Sequence, residues 1–296
     1  MALLAELLSN QYAFFAGISK GWRNAWGDLP KITQAITADT SASQLQWSFD
    51  GGLRKDYMLC CEIAEHCGIE VLRLLQWARA NGADWESWTC TAAAEGGHLE
   101  VLQWARANGC DWDEATTYQA AREGHLELLQ WARAQGCPWG FEVCKGAAQN
   151  GYLDTLKWMI AHGCPGSWGA TSAAARGGQL HILKWLRSND NLWNDSEVCM
   201  KAASEGHLGV LQWARANGCD WSVDTCSAAA EGGHLQVLKW ARCNGCDWDE
   251  YTCNNAVAAG RLDILQWARS QDCPWNRRTF RLIEEDPRIK QWARLN

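Results

Sequence analysis

The sequence predicts an all-α solenoid of nine stacked helix-turn-helix repeats with capping repeats at both ends. Three observations indicate this fold class: tryptophan recurs about every 27 residues, leucines precede these tryptophans at helical spacing, and glycines punctuate the units. A fixed period of about 20 to 50 residues is typical of solenoids and other repeat arrays. No segment alternates strictly between apolar and polar residues, so we expect no sheet.

One helix of each unit, the tryptophan helix, carries the recurring tryptophan. Leucines stand five and two residues before each tryptophan from Trp77 to Trp267, and most of these units have an aliphatic residue three before it. These positions cover more than half of a helical wheel, which predicts burial both against the partner helix and against the next repeat. The row comprises Trp47, Trp77, Trp104, Trp131, Trp158, Trp185, Trp213, Trp240, Trp267 and Trp292.

Glycines and capping residues predict where the helices end and begin. Most units have one glycine seven residues before the tryptophan and another five residues after it, where a left-handed residue can end a helix. Asp190 and Asp272 replace the second glycine, and Asp tolerates that conformation. A shorter alanine helix, named for pairs such as Ala93-Ala94, should then begin. Its expected caps are Asp113, Ser167, Asn194, Ser222, Asp249 and Asn276.

We expect tryptophan burial to stabilise the stack. A buried indole removes about 150–250 Å² from water, an upper bound of about 4–6 kcal/mol at about 25 cal/mol per Å². One helix pair cannot cover it, so the next repeat must supply the other wall. A second tryptophan row is expected to seal the connectors between repeats, and a ladder that stacks bases or sugars is the alternative. This row comprises Trp85, Trp112, Trp139, Trp193, Trp221, Trp248 and Trp275.

The repeat resembles a known family. Residues 93–104 read A-A-E-G-G-H-L-E-V-L-Q-W and residues 109–112 read G-C-D-W, similar to the A-A-x-x-G-H-L-E-V and G-A-D-V of the ankyrin repeat. The resemblance recurs across residues 53–275 and implies helix pairs stacked as in ankyrins. The unit has about 27 residues rather than about 33, and the missing residues fall at the ankyrin β-hairpin finger. We therefore expect fingers that are shortened or absent.

The two ends differ from the repeats, which we place in residues 41–296. Residues 1–40 do not repeat, and residues 3–26, which include I-S-K-G-W-R at 18–23, resemble the latter part of an F-box. That resemblance implies docking to a ubiquitin ligase scaffold, and an amphipathic helix that caps the first repeat is the alternative. At the other end, Pro287 replaces a leucine in a shortened unit, as a capping repeat requires.

Composition limits the compartment and the partners. The net charge is −7 with a pI near 5.5, which argues against binding phosphate backbones, so we expect no nucleic-acid partner. Fifteen cysteines, an odd number, argue against a secreted disulfide framework. No apolar run reaches about 18 residues, so we expect no membrane association. These features favour a cytoplasmic monomer, and a nuclear location stays open.

Candidate catalytic chemistry is sparse. Most cysteines fall in the repeat frame, where a buried thiol acts as a small hydrophobe. Cys243 and Cys246 have the C-x-x-C spacing of metal and redox sites, but one alanine-to-cysteine change in the repeat creates it. No acid–base dyad, nucleophile elbow or phosphate loop is present. We expect no enzyme activity, catalytic residue, metal site or cofactor, and a cysteine-based enzyme is the distant alternative.

A row of arginines stands two residues after the tryptophans. We expect these side chains to lie over neighbouring indoles or to pair with carboxylates. A basic stripe for an acidic partner is the alternative. The row comprises Arg79, Arg106, Arg133, Arg187, Arg215, Arg242 and Arg269.

Function should lie where the units differ. The variable positions fall on the alanine helices, which line the concave side of ankyrin stacks, and aromatic and arginine side chains are the usual interface anchors. We therefore predict a protein–protein interaction module that binds along its repeats, with a ubiquitin ligase substrate adaptor as the alternative. The predicted contact residues are Trp88, Tyr118, Phe141, Trp168, Tyr251 and Arg278.

Overall fold

The computed structural model describes residues 57–66, 71–189, 193 and 197–295. The F-box-like segment and Trp47 lie outside these residues. Within them, every regular element is helical, with 18 α-helices, one 3-10 helix and no strand. The chain divides into two compact units, residues 1–112 and 113–296. A helical-repeat fold is therefore correct at the level of fold class.

Within its described residues, 57–66 and 71–112, the first unit contains two helix pairs, α1 and α2 followed by α3 and α4. In each pair the odd-numbered element is the alanine helix and the even-numbered element is the tryptophan helix. The two kinds have nearly equal length, so the expected shorter alanine helix is wrong for this unit. The bounds are α1 (Tyr57–His66), α2 (Val71–Ala80), α3 (Ser87–Glu95) and α4 (Leu99–Ala107).

The part of the second unit that the structure describes contains seven helix pairs with the same alternation. Its first four pairs are α5 (Glu114–Arg122), α6 (Leu126–Ala134), α7 (Val143–Asn150), α8 (Leu153–Ala161), α9 (Ala170–Arg176), α10 (Leu180–Arg187), α11 (Val198–Ser204) and α12 (Leu208–Ala216). The 3-10 helix Ser167–Gly169 precedes α9. The last three pairs are α13 (Val223–Gly232), α14 (Leu235–Cys243), α15 (Glu250–Ala258), α16 (Leu262–Ser270), α17 (Arg277–Glu285) and α18 (Pro287–Ala293).

The alanine helices form the centre of each stack. In the second unit every alanine helix packs against the next one, from α5 to α17, and against its own tryptophan helix. Small side chains make this close approach possible, since Ala120, Ala121, Ala147 and Ala148 have no exposed surface. No helix of the described residues combines the length and apolarity needed to cross a bilayer.

The tryptophans are less buried than the sequence predicts. The fully buried side chains of the tryptophan helices are aliphatic, as with Leu211 and Leu238, and the alanine one position after the tryptophan is buried too. Trp213, Trp240 and the leucines five residues earlier are only half-buried. The reason is helical geometry: the buried positions are three or four residues apart and form one stripe, which places the indole on its flank.

The predicted helix ends agree with the structure at most positions. The glycines seven residues before the tryptophans and those five residues after them have φ between +67° and +94°. Asp272, with φ 59°, is the one non-glycine residue with positive φ in the described part. The side chains of Asp113, Ser222, Asp249 and Asn276 accept hydrogen bonds from backbone N–H groups of the next turn. Ser167 instead begins the 3-10 helix, and Asn194 and Asp190 lie outside the described residues.

In the last helix pair, two positions that are buried one repeat earlier become exposed to solvent. Thr279 and Ile283 of α17 are buried toward α15, whereas Phe280 and Arg281 are exposed. One repeat earlier, the corresponding Cys253 and Asn254 are buried. Pro287 occupies the first turn of α18, and Asp286 caps that helix by accepting from the N–H groups of Arg288 and Ile289.

Candidate binding surface

The connectors before α7 and α9 expose two large aromatic side chains. In most units the alanine helix begins directly after the capping position, but α7, α9 and α11 begin two or three residues later, at Val143, Ala170 and Val198. Phe141 and Trp168 fall in these longer connectors and are 76% and 68% exposed. They stand 27 residues apart and therefore occupy equivalent places in successive repeats.

The two connectors are in backbone contact. Gly166 has φ +78°, and a Cβ added there would lie 2.1 Å from the carbonyl oxygen of Phe141. Only glycine allows the chain before Trp168 to pass this close to Phe141. The exposed rings are thus carried by connectors that pack against each other.

A polar groove lies across the alanine helices next to these rings. Its first part is a cavity of about 340 Å³ over α5, α7, α9 and α11. A second cavity of about 340 Å³ continues over α9, α11 and α13. Arg176 and Lys201 line both cavities, which makes them one continuous surface. We call this surface the alanine-helix groove.

The groove carries charges of both signs. Lys145 Nζ lies 2.7 Å from Glu142 Oε1 and 5.3 Å from the ring centre of Trp168. Lys201 Nζ lies 3.8 Å from Glu197 Oε2. Glu205 and Glu231 line the second cavity. The groove can therefore contact both anionic and cationic groups, with an apolar rim at Trp168.

The structure brings three of the predicted contact residues to this surface. Tyr118 is half-buried and lines the groove, and Phe141 and Trp168 stand beside its lining residues Glu142 and Lys145. Tyr251 and Arg278 are exposed on α15 and α17, outside both cavities. Trp88 is 59% exposed and lies in the first unit. The six residues therefore do not form one site.

The groove residues that sequence reasoning missed include Arg176, Glu197 and Lys201. The position of Arg176 varies among repeats, a signal that could have found it: the equivalent residues are Glu95, Arg122, Gln149, Ser204, Glu231 and Ala258. The stretch from Trp185 to Trp213 has one extra residue, which shifts the repeat frame. For that reason the equivalence of Glu197 to Glu142 was not recognised from the sequence.

The arginine row is engaged with the connector tryptophans, as the sequence predicts. In one instance Arg215 Cζ lies 4.2 Å from the ring centre of Trp221, and its Nη1 donates to the carbonyl of Cys219 at 2.5 Å. The row is thus part of the packing between repeats. The other contacts of this kind are Arg79–Trp85, Arg106–Trp112, Arg133–Trp139, Arg187–Trp193, Arg242–Trp248 and Arg269–Trp275.

The buried thiols take part in packing. Cys246 donates to the carbonyl of Ser222 at 3.4 Å and contacts the thiol of Cys226, whereas Cys243 is exposed. Burial is the largest cause that raises the pKa of Cys60, to about 12, which keeps this thiol protonated at neutral pH. Among the described residues, no three metal-ligating side chains form a group.

Comparison with known proteins gives a structural likeness alone. No family model and no curated protein matches the chain. Two solved structures of the pentatricopeptide repeat protein PPR10, one a cysteine-to-serine variant, each in complex with an 18-nt psaJ RNA element, match with 16% identity and a TM-score of 0.37. The match covers 72% of this chain and 38% of PPR10. The chain is a helical-repeat protein, and ankyrin membership is not shown.

One expectation about partners is corrected by this comparison. The acidic net charge led us to exclude nucleic acid, yet PPR10, a protein of similar helical-repeat type, is described with RNA bound. The exclusion was wrong because net charge does not report local charge. Residues 277–295 carry six basic and three acidic side chains, although the whole chain is acidic.

Proposed function

We propose that the protein is a non-catalytic helical-repeat module that binds an extended polypeptide segment along the alanine-helix groove. The observation that carries this proposal is the exposure of Phe141 and Trp168 beside a continuous groove. Helical-repeat proteins use extended surfaces of this kind for binding.

The two rings supply the apolar anchors. Interface energy is concentrated in a few residues, among which Trp, Tyr and Arg are enriched. Phe141 and Trp168 are held by connectors in backbone contact, so little backbone entropy is lost when a partner covers them. Tyr118 extends the aromatic surface into the groove.

The charge pattern favours a polypeptide for this groove. Glu142, Glu197, Glu205 and Glu231 face the same surface as Lys145, Arg176 and Lys201. A phosphate backbone would meet these carboxylates at a cost, whereas a polypeptide can place charges of either sign opposite them.

RNA is the second candidate, and a different surface favours it. The basic residues 277–295 include the exposed Arg277, Arg278 and Arg281 with the exposed ring of Phe280. Guanidinium groups and aromatic rings together suit single-stranded nucleic acid. The ubiquitin ligase adaptor role rests on the F-box-like residues 3–26 alone. We keep a cytoplasmic or nuclear location as part of the proposal.

Selection from a random displayed-peptide library on the full chain tests the proposed function. We expect a selected peptide to lose at least about tenfold in affinity for the Phe141→Ala/Trp168→Ala variant, which corresponds to about 1.4 kcal/mol. Phe280→Ala is the matched control, because it removes an exposed ring outside the groove. Equal weakening by the control, or no enriched peptide at all, would count against the proposal.

A further inference from the structure

We infer that Arg176 forms an anion-binding subsite of the alanine-helix groove, which takes a carboxylate or a phosphate group of the bound segment. This inference rests on the proposed function and specifies the chemistry of the partner. Arg176 ends α9 and lines both cavities, so its side chain stands at their junction.

The other two cations of the groove are already engaged. Lys145 is paired with Glu142 and Lys201 with Glu197. The guanidinium group of Arg176 has no hydrogen bond or ion pair with any side chain in the described ranges of the chain, and this residue is exposed. It is the cation of the groove that a ligand can engage without breaking an ion pair.

The residues next to Arg176 in the repeat frame are uncharged. Gln149 of α7 and Ser204 of α11 occupy the equivalent positions on the two alanine helices that pack against α9. Glu205 and Glu231 also line the second cavity, and neither forms an ion pair with Arg176. The backbone is held in place here, since His207 Nε2 donates to the carbonyl of Arg176 at 2.9 Å.

Arginine in this setting favours planar or tetrahedral oxyanions. Its guanidinium presents paired N–H donors that match carboxylate and phosphate oxygens, and such charge-assisted bonds are about twice as strong as neutral ones. A polypeptide supplies the anion either from an acidic residue or from a phosphorylated one. Both sources share the chemistry that Arg176 recognises.

The spacing between Trp168 and Arg176 predicts the register of the ligand. Trp168 lies in the 3-10 helix that leads into α9, and Arg176 ends α9. These residues are eight apart, which corresponds to about 12 Å along a helix axis. An extended chain covers that distance in about four residues. The bound segment should therefore carry an apolar residue for Phe141 and Trp168 and an anionic residue about four positions away.

Parallel peptide-library selections on the wild-type chain, Arg176→Glu and Arg176→Gln test this inference. Wild type should enrich peptides with Asp or Glu about four positions from an apolar residue. Arg176→Gln should lose that preference, and Arg176→Glu should replace it with Lys or Arg. Arg278→Glu, which reverses an exposed arginine outside the groove, should leave the wild-type preference unchanged.

Affinities of one selected peptide complete the test. We expect at least about a tenfold loss for Arg176→Glu with an unchanged thermal unfolding midpoint, and Arg176→Gln provides a second variant if the first unfolds. A phosphoserine version that binds more tightly identifies phosphate as the preferred source, and one that binds more weakly identifies carboxylate; either supports the subsite.

Three outcomes overturn the inference. The subsite is refuted if the wild-type chain enriches peptides without an acidic position, or if Arg176→Glu enriches peptides with the same acidic position as wild type. Either result leaves the proposed function standing. If the wild-type chain enriches no peptide, the proposed function itself fails. Enrichment of a random RNA pool instead of peptides, lost in Arg176→Glu, would refute the commitment to a polypeptide.

Discussion

The indole of Trp240 packs edge-on against the indole of Trp221, with ring centres 5.8 Å apart and planes inclined at 67°. Trp221 belongs to the connector of one repeat and Trp240 to the tryptophan helix of the next. Arg215 lies 4.2 Å from the ring centre of Trp221, so each connector ring joins an arginine of its own repeat to a tryptophan of the following one. The arrangement recurs at Trp85–Trp104, Trp139–Trp158, Trp193–Trp213 and Trp248–Trp267.

Removal of these rings should uncouple neighbouring repeats. We expect Trp240→Ala to lower the free energy of unfolding by about 2–3 kcal/mol, somewhat below the range for a fully buried tryptophan because this ring is half-buried. A double-mutant cycle with Trp221→Ala, measured by urea unfolding, should give a coupling of about 0.5–1.5 kcal/mol. Trp221→Ala with Trp267→Ala is the control pair and should be additive. Additivity in both cycles would show that the Trp221–Trp240 contact contributes no coupling free energy.

Two glycines with the same backbone conformation should respond differently to alanine. Gly206 and Gly218 have φ of +80° and +83°, but a Cβ at Gly206 would lie 2.5 Å from His234 Nδ1, whereas nothing lies within 4 Å at Gly218. Gly218→Ala should cost about 1–2 kcal/mol from backbone strain, and Gly206→Ala should cost more. Thermal or urea unfolding measures the difference. His234→Ala in the Gly206→Ala background should remove the excess, and equal costs without it would refute the steric explanation.

The helix ends could be predicted from the sequence because they depend on individual residues. Glycine five residues after Trp213 predicts the left-handed end of α12, because that conformation depends mainly on the residue itself. The half-burial of Trp240 could not be predicted in this way, since leucine, valine and tryptophan are all apolar. Which of them faces the alanine helices depends on how the two helices cross, which is a property of their packing.

The cysteines should differ sharply in reactivity. Cys243 is the exposed cysteine among the described residues, whereas Cys226 and Cys246 are buried and in contact. A brief treatment of the native protein with iodoacetamide should label Cys243 first, because alkylation needs an accessible thiolate. Mass spectrometry of the digested protein reads out the sites. Comparable labelling of Cys246 under native conditions would contradict the packing of this repeat, and unfolding in urea should remove the selectivity.

Alkaline pH should destabilise the first unit. Burial raises the pKa of Cys60 to about 12 and that of Cys61 to about 11. The folded state therefore retains protons that the unfolded state releases above the ordinary thiol pKa of about 8.5. Stability is fully present below that pH and falls as the pH rises toward these values. The urea midpoint measured at pH 7, 9 and 10.5 should decline less for Cys60→Ala than for wild type, and identical slopes would refute the role of this thiol.

The candidate site was predictable only in part. Aromatic residues at variable positions indicated Phe141 and Trp168, because aromatic side chains are the usual interface anchors. Arg176 was not indicated, since its role depends on the ion pairs of Lys145 and Lys201, which the chain places beside it only after folding. The delayed start of α7 and α9 was also missed, although Gly140 and Gly169 near the expected helix starts were a visible signal.

Hydrogen–deuterium exchange of the full chain with and without a library-selected peptide tests binding along the alanine-helix groove. We expect slower exchange in residues 141–149, 168–176 and 197–205, because these segments carry Phe141, Trp168 and most of the groove lining. Exchange should not change in α17 and α18. Protection confined to the tryptophan helices or to α17 and α18 would contradict binding along the groove.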